Sequence, residues 1–223
     1  MQKTIEKQAD DVDDECRVRV ITQGEVYIVE GAGLNHLGLA RDPFALAAAN
    51  VLVDNNEHAP AFEVHGLAEF EAEAPLIAAV AGVGSAELVN GESRVRVGLW
   101  RAFPVPAGFV LRVKGSPLYV AFRGMRGVGL GKRRVVKGLV FKARKVNGNG
   151  EVKDIRARYI PVSILREARA LKSKLNGRIE DFALLLKKIK RHLRLACEAA
   201  RRGAKLVRVR VNSKLIDVWV EEV

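Results

Sequence analysis

A chain of 223 residues with an apolar fraction of 48% can bury a sizeable core in one or two domains. Its formal net charge of +12 hides a polarity: residues 1–100 carry 7 Lys/Arg against 17 Asp/Glu, residues 101–150 carry 12 and no acid, and residues 151–223 carry 19 against 9. No apolar run reaches bilayer length, the N-terminus lacks the basic–apolar pattern of a signal peptide, and Cys16 and Cys197 stand far apart, so a cytoplasmic protein with free thiols is expected.

Residues 1–16 are poor in apolar side chains and crowded with acids, which predicts a mobile arm. Arg17–Thr22 and Glu25–Glu30 flank Gln23-Gly24 and read as a hairpin. Residues 31–38 form a glycine-rich loop. Asp42 is a good helix N-cap, and Pro43 suits the first helical position because its φ is preset and no amide is needed there. The run Phe44 to Leu52 is almost wholly apolar, so this short helix is buried, and Asp54-Asn55-Asn56 ends it.

Ala61–Gly66 reads as a strand whose alternation puts Glu63 and His65 on one face and leaves His58 in a loop. Asn90-Gly91 is the strongest turn signal, joining Ala86–Val89 to Ser93–Val97. Pro104 and Pro106 suit an edge or a loop. Short strands at this spacing predict a barrel or sandwich. Beyond residue 150 the period changes. Ile164, Ala168, Leu171 and Leu175, then Ile179 through Ala200, repeat at helical spacing around Asn176-Gly177, giving a basic helical hairpin. Lys205–Val211 and Leu215–Val220 close the chain as a β-hairpin around Asn212-Ser213-Lys214.

Ordered motifs span this front half. Asp42-Pro43-Phe44-Ala45 to Asn50-Val51-Leu52 and Asn55-Asn56 precede Ala61-Phe62-Glu63-Val64-His65-Gly66; Ile77–Gly82, Val105-Pro106-Ala107-Gly108 and Leu118-Tyr119-Val120-Ala121-Phe122-Arg123-Gly124 follow. In order and spacing they resemble the carboxyltransferase family of allophanate hydrolase subunit 2, its 5-oxoprolinase counterpart and the carboxyltransferase domain of urea carboxylase. The resemblance covers about residues 17–135, so the chain reads as a shortened member with the first half only. It implies a cyclophilin-like β-barrel half with a short buried helix over residues 17–150; with the helical hairpin and β-hairpin read from the pattern of 151–223, the expected fold is α+β.

The same resemblance implies work with a subunit-1-like partner on a small amide or carboxylate, either carboxyl transfer from biotin or ATP-dependent 5-oxoproline cleavage. ATP or biotin would come through partner subunits, with none bound directly, and a non-catalytic role is a version of the same reading. Leu130-Gly131-Lys132-Arg133 falls on a family segment that helps line the substrate cleft. Glu63, Tyr119, Gly124, Gly131, Lys132 and Arg133 are therefore the candidate substrate-binding residues; no catalytic residue is assigned.

Each candidate has a plainer reading. The loop Gly124–Arg134 fails the nucleotide-binding glycine pattern, yet its amides and cations suit a carboxylate or phosphate as well as they suit a solvated turn. Asp42 reads more readily as a cap than as a catalyst, and Asn50 as a loop anchor. Glu63 on a core strand requires a partner if it is buried. Tyr119 either caps the core or turns its hydroxyl into a cleft. The histidines His36, His58, His65 and His192 lack ligand spacing, so no metal is expected. A nucleic-acid-binding role for the basic region 101–210 is the alternative from another class, weakened by an aromatic content of 6%.

Overall fold

In the computed structural model the described residues are 15–30, 39–127, 129, 131–146, 154–173, 179–211 and 214–220. Residues 1–14 of the expected arm, the glycine-rich loop 31–38 and the turns at 174–178 and 212–213 lie outside them; Glu15 and Cys16, the last two residues expected in the arm, instead begin a strand, with Cys16 buried. The chain divides into two compact units, Met1–Asn147 and Gly148–Val223.

The first unit holds β1 (Glu15–Glu30), α1 (Pro43–Leu52), β2 (Ala61–Ala72), β3 (Leu76–Asn90), β4 (Ser93–Val97), β5 (Arg101–Val105), β6 (Val110–Phe122), β7 (Gly131–Arg134) and β8 (Val140–Arg144). It is an α+β fold. One open antiparallel sheet runs β4-β3-β6-β2-β1-β7, with β5 on β3 and β8 on β1. The sheet curls enough for Leu76 of β3 to form an isolated bridge with Lys145, just past β8, and for the Val146 amide to donate to the Pro75 carbonyl.

Glycines set the curl. Gly66 pairs with Gly115 on β6, which pairs in turn with Gly84 on β3. Gly66, Gly82 and Gly84 have φ of +99°, +122° and +154°. Between these pairs β6 carries one more residue than its neighbours, so Ser116-Pro117 forms a bulge. That extra residue switches the parity of β6. Leu111 and Val113 face the core before it, and Leu118, Val120 and Phe122 face the core after it.

The core on the inner face includes Val18, Val26, Phe62, Phe70, Val80 and Val120. Phe62 anchors it, with ring centroids 4.8 Å from both Phe70 and Phe141. Ala79, Ala81 and Ala121 alternate with core residues yet are fully buried, because α1 packs on that outer side against β3 and β6. Small side chains let the helix lie close, and every residue from Phe44 to Leu52 is buried. The expected N-terminal signals hold: the carboxylate of Asp42 accepts from the Ala45 amide at 3.1 Å, with Pro43 at the helix start.

Two expectations are corrected. Gln23-Gly24 does not turn a hairpin; β1 runs straight through, with register shifts beside it. Gly24 is needed for closeness, since a Cβ there would lie 2.9 Å from the His65 carbonyl. The turn expected at Asn90-Gly91 is displaced by one residue: Asn90 pairs with Ser93, so Gly91-Glu92 form the loop, with φ of +56° at Gly91. Pro104 lies on β5, which among the described residues pairs only with β3 and so is an edge.

The second unit contains α2 (Val162–Ser173), α3 (Ile179–Arg201), β9 (Lys205–Val211) and β10 (Lys214–Val220). Ile164 and Ala168 on α2, with Leu186, Ile189, Leu193 and Ala196 on α3, form the buried stripe that the sequence period predicts. Lys188 donates to Glu167 at 2.7 Å across the helices. The strands β9 and β10 pair from Val211–Lys214 onward.

Candidate functional site

The parity switch in β6 decides where the chemistry lies. With Leu118 and Val120 turned inward, Tyr119 points to the outer face, directly opposite Glu63 of β2 in the register. Both side chains are fully buried. A lone carboxylate at such a position would cost several kcal/mol, so its partners carry the argument.

Glu63 has four donors. On Oε1 it accepts from Lys132 Nζ at 2.6 Å and His65 Nε2 at 2.8 Å; on Oε2 it accepts from the Tyr119 hydroxyl at 2.8 Å and the Arg41 amide at 3.0 Å. Burial pushes the Glu63 carboxyl up, but these four hydrogen bonds outweigh it and hold the group below the usual carboxylate range. Glu63 is therefore a charged anchor. Both its oxygens are doubly engaged, which suits it to holding other groups in place.

Tyr119 stays a neutral hydroxyl. Burial raises its pKa well above the ordinary value; the Asp42 amide, donating at 2.7 Å, opposes this, and the adjoining Glu63 charge reinforces it. The residues at the entry to α1 thus serve both partners, one amide to Glu63 and the next to Tyr119.

Lys132 comes from β7, whose pairing with Val29 of β1 brings it alongside. Its Nζ also lies 4.6 Å from the centre of the Tyr27 ring, a favourable cation–π contact. The side chain remains 25% exposed, so a fixed ammonium meets solvent at the mouth of a buried network. His65 turns its second nitrogen, Nδ1, to Ser116 Oγ at 2.8 Å.

The structure thus brings Glu63, Tyr119 and Lys132 together and adds His65, Ser116 and the Arg41 amide. Of these additions, only the shared face of Glu63 and His65 was visible as a strand alternation. The other expected residues lie apart from the network. Gly124, with φ of +63°, donates its amide to Asn55 Oδ1 at 2.8 Å. Asn55 in turn donates to the Phe122 carbonyl at 2.9 Å, tying the end of α1 to the end of β6. Asn50 donates to the Ala59 carbonyl at 2.7 Å, the loop anchor its position suggested.

Gly131 opens β7 opposite Glu30, and Arg133, exposed, pairs with Ile28. The glycine loop before them holds an anion of its own chain. The Gly129 amide donates to Glu30 Oε2 at 2.9 Å, and a Cβ on Gly127 would lie 1.6 Å from Glu30 Oε1. Arg123 and Arg126 lie 3.7 and 3.3 Å from Asp54 and Glu15. Among the described residues, no group of three His, Cys, Asp or Glu side chains lies placed to hold a metal, and no helix is long and apolar enough to cross a membrane.

A cleft of about 440 Å³ opens on the other side of the glycine line, walled by Leu67, Gly84, Glu87, Arg112 and Lys114. Arg112 there bridges Glu69 and Glu87 on the flanking strands, at 2.5 and 3.2 Å.

Known proteins share part of this chain. Residues 33–129 match the family model described as "Carboxyltransferase domain, subdomain A and B". Among solved structures the chain is similar to urea carboxylase of Kluyveromyces lactis, at 20% identity and a TM-score of 0.48, over 57% of this chain and 14% of that one. It is also similar to the protein TTHA0988, at 27% identity and a TM-score of 0.46, over 60% of this chain and 32% of that one. The match thus spans well under half of either of those two chains. No curated protein sequence matches it.

Proposed function

From a carboxyltransferase-domain match over residues 33–129, we propose that this chain handles a small carboxylate or amide at the Glu63–Lys132–Tyr119 network, within a larger assembly. The observation that carries the reading is Lys132, a cation clamped by a fully buried carboxylate and still partly open to solvent. A pre-positioned ammonium stabilises charge on a ligand oxygen without reorganising when the ligand arrives. The Tyr119 hydroxyl, held by the Asp42 amide, fixes the carboxylate that fixes the lysine.

The resemblance names the candidates. With a subunit-1-like partner, the chain would serve either carboxyl transfer between biotin and a small amide, or ATP-dependent cleavage of 5-oxoproline. ATP or biotin would enter through that partner. Entry through the partner is favoured over binding at residues 123–134 because the Gly129 amide there is engaged by Glu30.

The test is calorimetric titration of 5-oxoproline, urea-derived carboxylates and carboxybiotin, with and without the partner. Lys132→Met is expected to weaken binding by roughly ten- to a hundredfold, the equivalent of one charge-assisted hydrogen bond. It is also expected to lower the melting temperature, since Lys132 neutralises the buried Glu63; exposed Arg133→Ala should leave melting unchanged. Absence of binding by every ligand, even in the complex, would reject the proposal.

A further inference from the structure

We propose that Ser116 is an acyl-accepting nucleophile, with His65 as its general base and Glu63 as the group that orients His65. The three lie in one line: Ser116 Oγ is 2.8 Å from His65 Nδ1, and His65 Nε2 is 2.8 Å from Glu63 Oε1. A carboxylate only accepts, so the proton of the neutral imidazole sits on Nε2, and Nδ1 is left to accept from the serine hydroxyl. This is the chain of nucleophile, base and orienting acid that hydroxyl activation needs.

The surroundings match the roles. The His65 side chain is 8% exposed and Glu63 fully buried, whereas Ser116 is exposed. Three further donors, Lys132, Tyr119 and the Arg41 amide, hold Glu63 in place, so the imidazole is set by a rigid acid. Ser116 stands on the β6 bulge, outside the regular ladder, where a substrate can reach its hydroxyl. The 440 Å³ cleft adjoins that bulge, since its wall residues Gly84 and Lys114 flank Gly115, the residue before Ser116. Lys114 gives the wall a cation suited to a substrate carboxylate. The substrate class is an ester or activated amide of a small carboxylic acid. Because Ser116 does not sit in a G-x-S-x-G turn, the sequence gives no hint of it.

The step balances. Oγ attacks the acyl carbon as its proton passes to His65 Nδ1, and the imidazolium faces the Glu63 carboxylate. The bond to the leaving group breaks, and that group takes the proton from Nδ1. Water then attacks the Ser116 ester with His65 again as base, releasing the acid and restoring the hydroxyl.

The test is labelling of the full chain with a fluorophosphonate, which forms a P–Oγ bond and expels fluoride, followed by peptide mapping. We expect the adduct on Ser116 and none in Ser116→Ala. His65→Ala should label at least about a hundredfold more slowly, the range of general-base assistance, with partial rescue by added imidazole. Where that variant melts below the assay temperature, His65→Gln serves, since it can bond Glu63 but cannot take a proton. No adduct at saturating reagent, an adduct elsewhere, or an unchanged rate without the imidazole would overturn the proposal. Such an outcome leaves the Lys132 titrations untouched, so the two readings fail separately.

Discussion

At the scale of single residues, Glu63 is the group whose protonation the fold controls. Its carboxyl is held below the ordinary range, near pH 4 in an unfolded chain, so folding favours the charged form. The stabilisation is therefore fully present above that ordinary value and is lost as pH falls through the depressed one. Glu63→Gln should cost about 1–3 kcal/mol near neutral pH, because Lys132 and His65 lose their charged acceptor. Thermal melts of both proteins from pH 7 downward check this: the gap should close at the acid end, and a gap that ignores pH would uncouple Glu63 from stability. Half of this site was legible in advance. Alternation along β2 puts Glu63 and His65 on one face, and burial of a carboxylate demands a partner. The identity of that partner was not legible, because Lys132 lies 69 positions on and arrives through the β1–β7 register. Ser116 is hidden for a similar reason: its neighbour His65 is 51 positions away, across a bulge that no local pattern announces.

At the scale of elements, α1 follows from its sequence because its signals are local: a capping carboxylate, a proline at the start and an apolar run between polar ends. The strands were legible as strands but not in their length. Gln23-Gly24 carries the composition of a turn, yet the glycine there answers a close approach of β2. The same residue type bends β2 and β3, and there the backbone conformation decides. Gly82→Ala would place a Cβ 2.5 Å from the Pro117 carbonyl at φ of +122°. Backbone strain of this kind costs about 1–3 kcal/mol, and the contact adds to it. Denaturant unfolding should show a lower midpoint with an unchanged slope. Its neighbour across the strands is the bulge carrying Ser116, so the labelling rate of that serine should fall in the same variant.

At the scale of the whole molecule, the charge polarity resolves into two different situations. Residues 1–150 hold 19 Lys/Arg against 17 Asp/Glu, and there acids meet bases within the first unit, as in Glu15 with Lys142 at 2.7 Å. Nearly all the net charge belongs to residues 151–223, with 19 Lys/Arg against 9 Asp/Glu. The carboxyltransferase family match stops at residue 129, short of that basic unit. The open sheet has one more consequence. An open sheet ends in strands with one unpaired edge, and among the described residues β4 is such a strand, with Val95 52% exposed. Arg94 and Arg96 stand at alternate positions along it, both exposed. Two molecules approaching rim to rim would have to bring these guanidinium groups together, so the arginines act as guards against self-association. Replacing both by Thr should leave melting nearly unchanged while raising light scattering as the protein is concentrated, because the flaw it exposes lies between copies of the chain.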